Sequence, residues 1–421
     1  MNSISRQEIG KGIYFNTIKD NRFKTMKLSV SIIVPLNEDD ASVNALLAGV
    51  LTRSTKDYPD FTILSKKLSQ LYGANLAGIV RKMGDNQVLT FSISGIDDKY
   101  AFEGDVVSQQ MSELLCSVLF RPKLNGNAFC EEEINQEKRQ LSDMIDSEFN
   151  DKRAYANNRF TEFMCQGEPF ACSRLGTKEA VEEVTGEDLY TAWKKLLIAG
   201  NIEIFFIGES DSENAKNIFE KNFKKNRRTP FLLENSVCGE VKKLKEKREI
   251  MELSQSKMIM GFRTSVASPS EDTMAMRVAI ALLGGTAHSK LFNNVREKLS
   301  LCYYCSARYT RIKGIVHIES GVEKENIEKA KDAILKEIED MKNGNITDFE
   351  IEATKLSMCN DFITICDHTA GLESWYLSQL MDGELDSVEE ACRKVNAVTK
   401  EQIMEMASKL HFDTIYTLES K

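Results

Sequence analysis

The chain has 421 residues, too long for one ordinary hydrophobic core and long enough for two of roughly 150 to 200 residues each. Its content of 42% hydrophobic and 28% charged residues excludes the disordered and membrane classes. A formal charge of −9 argues against a nucleic-acid partner, and the densest basic run, Lys242 to Lys247, is interrupted by Glu246. The segment Met1 to Glu8 carries an early charge pair and no apolar core of a secretory signal. No window approaches the ~18 uninterrupted apolar residues of a membrane span. Ten scattered cysteines in such a chain read as reduced thiols, so the expected compartment is the cytoplasm. The four histidines, His288, His317, His368 and His411, all lie beyond residue 287. The first two thirds of the chain therefore have no imidazole.

In chain order, an alternating strand and a polar turn containing Pro35 precede Ala45-Leu46-Leu47-Ala48-Gly49. A helix, the loop Gly126-Asn127, Phe129 and an acidic helix follow. Val184-Thr185-Gly186-Glu187-Asp188-Leu189 then opens an amphipathic helix, with Thr185 as N-cap, ahead of the β-rich run Ile202 to Ile207. A polar, basic stretch runs from Asn222 to Arg248. Beyond it the same features return in the same order. Ala281-Leu282-Leu283-Gly284-Gly285 follows a turn with Pro269, and Gly344-Asn345 leads to Phe349. Val398-Thr399-Lys400-Glu401-Gln402-Ile403 then opens a helix ahead of Thr414 to Leu418. Three ordered matches predict two duplicated domains, residues 1–222 and 251–421, joined by a linker over 223–250. Period-two strands beside long amphipathic helices predict an α+β fold with antiparallel sheets packed with helices.

The pair Cys302 and Cys305 falls in a segment, Leu301 to Tyr309, that reads as a strand. On a regular strand, positions three apart face opposite ways and lie about 10 Å apart. A disulfide needs Cα atoms within about 7 Å, so ordinary packing is expected of both thiols.

The run Leu283-Gly284-Gly285-Thr286-Ala287-His288-Ser289-Lys290-Leu291-Phe292 and its continuation Arg296-Glu297-Lys298-Leu299-Ser300-Leu301-Cys302-Tyr303 resemble a known signature. It is that of the second domain of the M16 (insulinase or pitrilysin-like) peptidases: a glycine pair, Ser-x-Leu-Phe, Arg-Glu-Lys and Leu-x-Tyr. Gly314 to Val322 and Asn326 suit the family's next strand and helix start, and Leu71-Tyr72-Gly73-Ala74-Asn75-Leu76 matches a first-domain stretch more loosely. The resemblance spans the chain from about residue 25 to its end and implies the LuxS-like M16 fold.

Active members carry His-x-x-Glu-His on a first-domain helix. Two imidazoles one turn apart bind Zn²⁺, the Glu serves as general base, and a Glu from a later helix completes the site. The matching positions here are Ala45, Ala48 and Gly49, none with a donor atom. On the later helix, Glu131 to Lys138, the matching ligand position is Asn135, and a shift of two residues would substitute Glu133 or Glu137. The resemblance with these departures implies no metal and no cofactor.

Active members also use an Arg and a Tyr from the second domain as donors to the substrate, and Arg296 and Tyr303 match those positions. His288 could line the same cleft. The combination looks like the zinc-less subunit of bacterial heterodimeric M16 pairs: inactive alone, binding peptide or unfolded polypeptide, and supplying Arg and Tyr to a zinc-bearing partner. A non-catalytic assembly protein and a peptide-binding homodimer are the rival readings.

Overall fold

The computed structural model describes residues 4–224 and 227–421. They pack into two units that are not contiguous in the chain. The first holds the chain up to Ser147 together with Cys172–Glu234 and Asp367–Leu377. The second holds Glu148–Ala171, Asn235–Cys366 and Ser378–Lys421.

The first unit is built on a six-stranded sheet. Its strands are β1 (Ile4–Gly10), β2 (Ile13–Lys19), β3 (Thr25–Pro35), β4 (Asn75–Met83), β5 (Asn86–Ile96) and β8 (Asn201–Gly208), in spatial order β1-β2-β8-β3-β5-β4. A short ribbon, β6 (Leu124–Asn125) with β7 (Ala128–Phe129), stands apart. Central β3 is buried almost end to end, its serines Ser29 and Ser31 included. The first three helices of this unit are α1 (Glu38–Val50), α2 (Phe61–Gln70) and α3 (Val107–Phe120). Asn37 caps α1 by accepting the Asp40 amide at 2.8 Å, and Glu38, Asp39 and Asp40 fill its first turn, where negative charge suits the helix dipole.

The second unit holds β9 (Lys245–Met251), β10 (Ser256–Arg263), β11 (Cys302–Thr310), β12 (Ile315–Val322) and β13 (His411–Ser420), in spatial order β11-β12-β10-β13-β9. Read from the other edge, this is the first sheet without β1. β9 and β13 stand where β2 and β8 do, and β10, β12 and β11 stand where β3, β5 and β4 do. The duplication expected from sequence is thus repeated strand by strand. The sheets depart from the purely antiparallel expectation at one place each, since β2 pairs with β8, and β13 with β9, in parallel. Parallel neighbours need a long crossover rather than a hairpin, and more than 150 residues separate the members of each pair. The end of the stretch expected as linker is itself β9, an edge strand whose alternating charges (Lys245, Glu246, Lys247, Arg248, Glu249) make it a poor template for another chain.

Two long helices, α4 (Glu131–Asn150) and α5 (Lys152–Met164), follow one another. α5 precedes the second sheet by some eighty residues yet packs on it. Ala156, Phe160 and Met164 form one buried cluster with Ile259, Ile315, Tyr416 and Leu418. Gly261 of β10 leaves the space that Phe160 and Met164 fill. Among the described residues no helix is long and apolar enough to cross a membrane.

His317 of β12 lies under α5, its ring 6.1 Å from that of Phe160, and burial pushes its pKa down to about 4 from an ordinary 6.5. The unfolded chain therefore takes up this proton first as pH falls. Stability is fully present above about 6.5 and is lost between about 6.5 and 4, by on the order of 3 kcal/mol. Urea unfolding at pH 7 and pH 4.5 should show this loss, and His317→Gln should shrink it; an unchanged loss in the variant would assign it elsewhere. Phe160→Ala should cost the second unit about 3–5 kcal/mol in the same measurement, and a loss under ~1 kcal/mol would make α5 peripheral to that core.

Candidate functional site

In the second unit a helix over Thr273–Ile280 passes into a π-helical turn, Ala281–Gly285. Gly284 explains the glycine at this point: a Cβ there would lie 2.6 Å from the Ala307 amide nitrogen of β11, so only glycine lets helix and strand meet. A second π-helical segment, Leu291–Lys298, carries Arg296. Its wider turn is visible in the Leu299 amide, which donates to the carbonyl of Asn294 five residues back. Ser300, at φ +50, then turns the chain sharply into β11.

These elements bring Arg296 and Tyr303 to one open cleft of about 370 Å³, lined also by Glu297, Cys302, Glu323 and Asn326. The Arg296 guanidinium rests over the Phe292 ring, 4.5 Å from its centroid, and its Nε lies 3.6 Å from Glu297. Tyr303 is 64% exposed and donates from its hydroxyl to Glu323 Oε1 at 3.0 Å. That bond holds its pKa above the ordinary phenol value, so the hydroxyl remains a donor. Both groups are donors, and both face solvent. Tyr304 is different. It is half-buried near the Arg153 guanidinium, 4.6 Å from its ring centroid, and burial pushes its pKa up to about 12. His288 lies outside the Arg296 cleft, lining a separate cavity of about 760 Å³ with Phe349.

The strand expectation for the two thiols is overturned. Cys302 pairs with Val322 but Tyr304 pairs with Gly321, so β11 carries a bulge at Tyr303. The extra residue turns Cys302 and Cys305 to the same inner face, with 8% and 5% exposure. Regular alternation, on which the opposite-face reading rested, is interrupted at that one residue.

In the first unit, Ala45, Ala48 and Gly49 lie on α1, with Ala45 and Ala48 buried. Of the three α4 positions weighed for a carboxylate, Glu137 meets this helix: a Cβ on Gly49 would run into its carboxylate. Asn135 is exposed, and Glu133 lies 3.5 Å from Lys123. Arg53, one turn beyond Gly49, forms an ion pair with Glu137 and donates to Gln136 Oε1 at 2.6 Å.

Residues 183–358 match the family model described as "Peptidase M16 inactive domain". The chain is 32% identical over 408 residues to a Bacillus subtilis (strain 168) protein described as "Probable inactive metalloprotease YmfF", covering 97% of this chain and 96% of that one. The chain belongs to the M16 peptidase family. It stands among the inactive homologues of that family. A crystal structure of a conserved protein from Enterococcus faecalis V583 superposes with a TM-score of 0.91 at 27% identity, covering 99% of both chains. The peptidase M16 inactive domain from Pseudomonas fluorescens shares the fold, with a TM-score of 0.79 at 15% identity over 99% of this chain and 98% of that one.

The M16 family implies a zinc ion at α1, and the residues here do not fit one. Ala45, Ala48 and Gly49 offer no donor, and the Glu137 carboxylate that meets Gly49 is already neutralised by a guanidinium. Arg53 occupies the electrostatic role that a cation would have. Among the described residues, no three His, Cys, Asp or Glu side chains group as ligands for a metal ion. Sequence reasoning missed Arg53, although its place four residues after Gly49 is a helical spacing. It also missed Glu323, which no spacing rule ties to Tyr303.

If Arg53 holds Glu137 away from metal, rebuilding the imidazoles alone is insufficient. Ala45→His/Gly49→His should bind Zn²⁺ about 10- to 100-fold more weakly than the same pair combined with Arg53→Ala, by equilibrium dialysis. Equal affinities would remove Arg53 from this role.

Proposed function

We propose that the chain is the metal-less, substrate-binding subunit of a heterodimeric M16 zinc peptidase, inactive alone, which supplies Arg296 and Tyr303 to a zinc-bearing partner's active site. The observation that carries this reading is the pairing of a half-buried guanidinium and an exposed phenol on one open cleft. A substrate carbonyl gains negative charge as water adds to it, and positioned donors that strengthen with that charge lower the barrier. Arg296 offers a planar fork of N–H donors and Tyr303 a single O–H. Glu323 orients the phenol in the absence of substrate. Its bond is exposed, so exchange for a substrate oxygen costs little.

The substrate class is extended peptide. β11 is an edge strand and carries Tyr303, so a peptide adding to that edge by main-chain hydrogen bonds would run past the cleft. Recognition of that kind reads backbone more than side chains and suits unfolded polypeptide. Ten free cysteines suit a reducing compartment, which supports a cytoplasmic location.

The test is reconstitution. The purified chain should cleave no peptide alone. Mixed with a zinc-bearing M16 subunit from the same organism it should yield chelator-sensitive hydrolysis. Arg296→Ala or Tyr303→Phe should lower that rate by about 10²–10³, or 2.7–4 kcal/mol of barrier. Chelator-sensitive activity of the chain alone, or full activity of both variants, would refute this assignment.

A further inference from the structure

The bulge that exposes Tyr303 has a second product, the thiol pair beneath it. The partners of Cys302 and Cys305 on β12, Val322 and Ser320, lie two residues apart, or about 6.6 Å at ~3.3 Å per residue. That is inside the ~7 Å reach of a disulfide, which the regular strand would have exceeded. Cys302 also lines the cleft that holds Arg296 and Tyr303, so a small reagent has a route to it.

We propose that Cys302 and Cys305 form a redox-responsive dithiol that a hydroperoxide closes reversibly to a disulfide. Cys302 is the attacking group. The neighbouring Cys305 thiol holds its pKa below the ordinary thiol value, and the Arg296 guanidinium acts in the same direction against burial. Cys305 remains the protonated partner, pushed up by the neighbouring Cys302 and by burial. The Cys302 thiolate attacks one peroxide oxygen and the O–O bond breaks. The departing oxygen leaves as an alcohol, or as water from hydrogen peroxide, and Cys302 becomes a sulfenic acid. Cys305 then attacks that sulfur, the S–O bond breaks and water leaves. In sum, two thiols and one hydroperoxide give one disulfide, one alcohol and one water. A thiol reductant reverses the change.

The molecule contains its own reference. Cys359 and Cys392 are also neighbours, but burial, Cys359 and the Glu389 carboxylate push the Cys392 thiol up to about 12. Closing the first pair would staple the bulge that presents Tyr303. Only this consequence rests on the proposed function; the thiol chemistry does not.

Reduced full-length protein is treated with hydrogen peroxide, blocked with iodoacetamide and digested with trypsin. The peptide Leu299–Arg308 contains both cysteines. It should appear unalkylated and lighter by two hydrogens, at peroxide levels about tenfold below those that oxidise Cys359 and Cys392, and dithiothreitol should restore it. Full alkylation of that peptide once Cys359 and Cys392 have reacted would overturn the proposal. In Cys305→Ser, dimedone should capture Cys302 as its sulfenic acid, and failure of capture would overturn the order of attack. Neither readout needs a partner subunit, so failure here leaves the roles of Arg296 and Tyr303 standing.

Discussion

Both units depend on a steric constraint, a contact between helix and sheet that has no room for a second methyl group. In the first unit Gly78 of β4 lies against the backbone of Ala48 on α1, and any side chain on Gly78 would strike the Ala48 carbonyl. In the second unit the small pair is reversed, with Gly284 on the helix and Ala307 on β11. Interiors packed near crystal density admit such a swap only if the summed volume is kept, and glycine opposite alanine keeps it. Each contact fixes the height of a helix over its edge strand. Ala45 to Gly49 sit on one of those helices. Arg296 and Tyr303 follow the other, one through a π-helical segment and one through a strand bulge. The two sets of residues therefore occupy related positions in a duplicated frame, without donor side chains in one copy and with a guanidinium and a phenol in the other.

What replaces metal chemistry at α1 is an ordinary ion pair. Glu137 and Arg53 are both largely covered, with side-chain exposures of 12% and 18%. A carboxylate left alone in such a place would be costly, and a partner of opposite charge relieves that cost. Loss of imidazoles thus did not leave an orphaned acid. This is a structural reason, beyond the absence of donors, why the residues at α1 do not fit a zinc ion.

Much of the fold was legible because duplication leaves spacing behind. The Thr185 and Thr399 helix starts are both full capping boxes, with Asp188 and Gln402 returning the bond to the cap. The apolar helix segments Ala45 to Gly49 and Ala281 to Gly285 fall on equivalent helices. The motif also placed Arg296 and Tyr303 in one cleft. Other features had no local signal. A bulge at Tyr303 is a matter of register against β12, and nothing in Cys302-Tyr303-Tyr304-Cys305 announces which residue will be skipped. The Arg53–Glu137 pair joins residues 84 apart, and Tyr303–Glu323 joins residues 20 apart. Period-based reasoning sees neither. The attachment of α5 to the later sheet was equally hidden, because its apolar positions Ala156, Phe160 and Met164 say that a face is buried but not against what.

The interleaving of segments also governs the order in which this chain can become folded. β2 acquires its parallel neighbour β8 only after residue 208 has been made, and the first unit is not complete until residues 367–377 have joined it. The second unit, conversely, needs 148–171 from well upstream. Neither unit can finish as an autonomous piece emerging from a ribosome, and closure of the first waits until residue 377 has been made. Duplicated in design, the two units are therefore bound to a common schedule, with long stretches of sheet edge and apolar helix surface awaiting partners encoded far downstream.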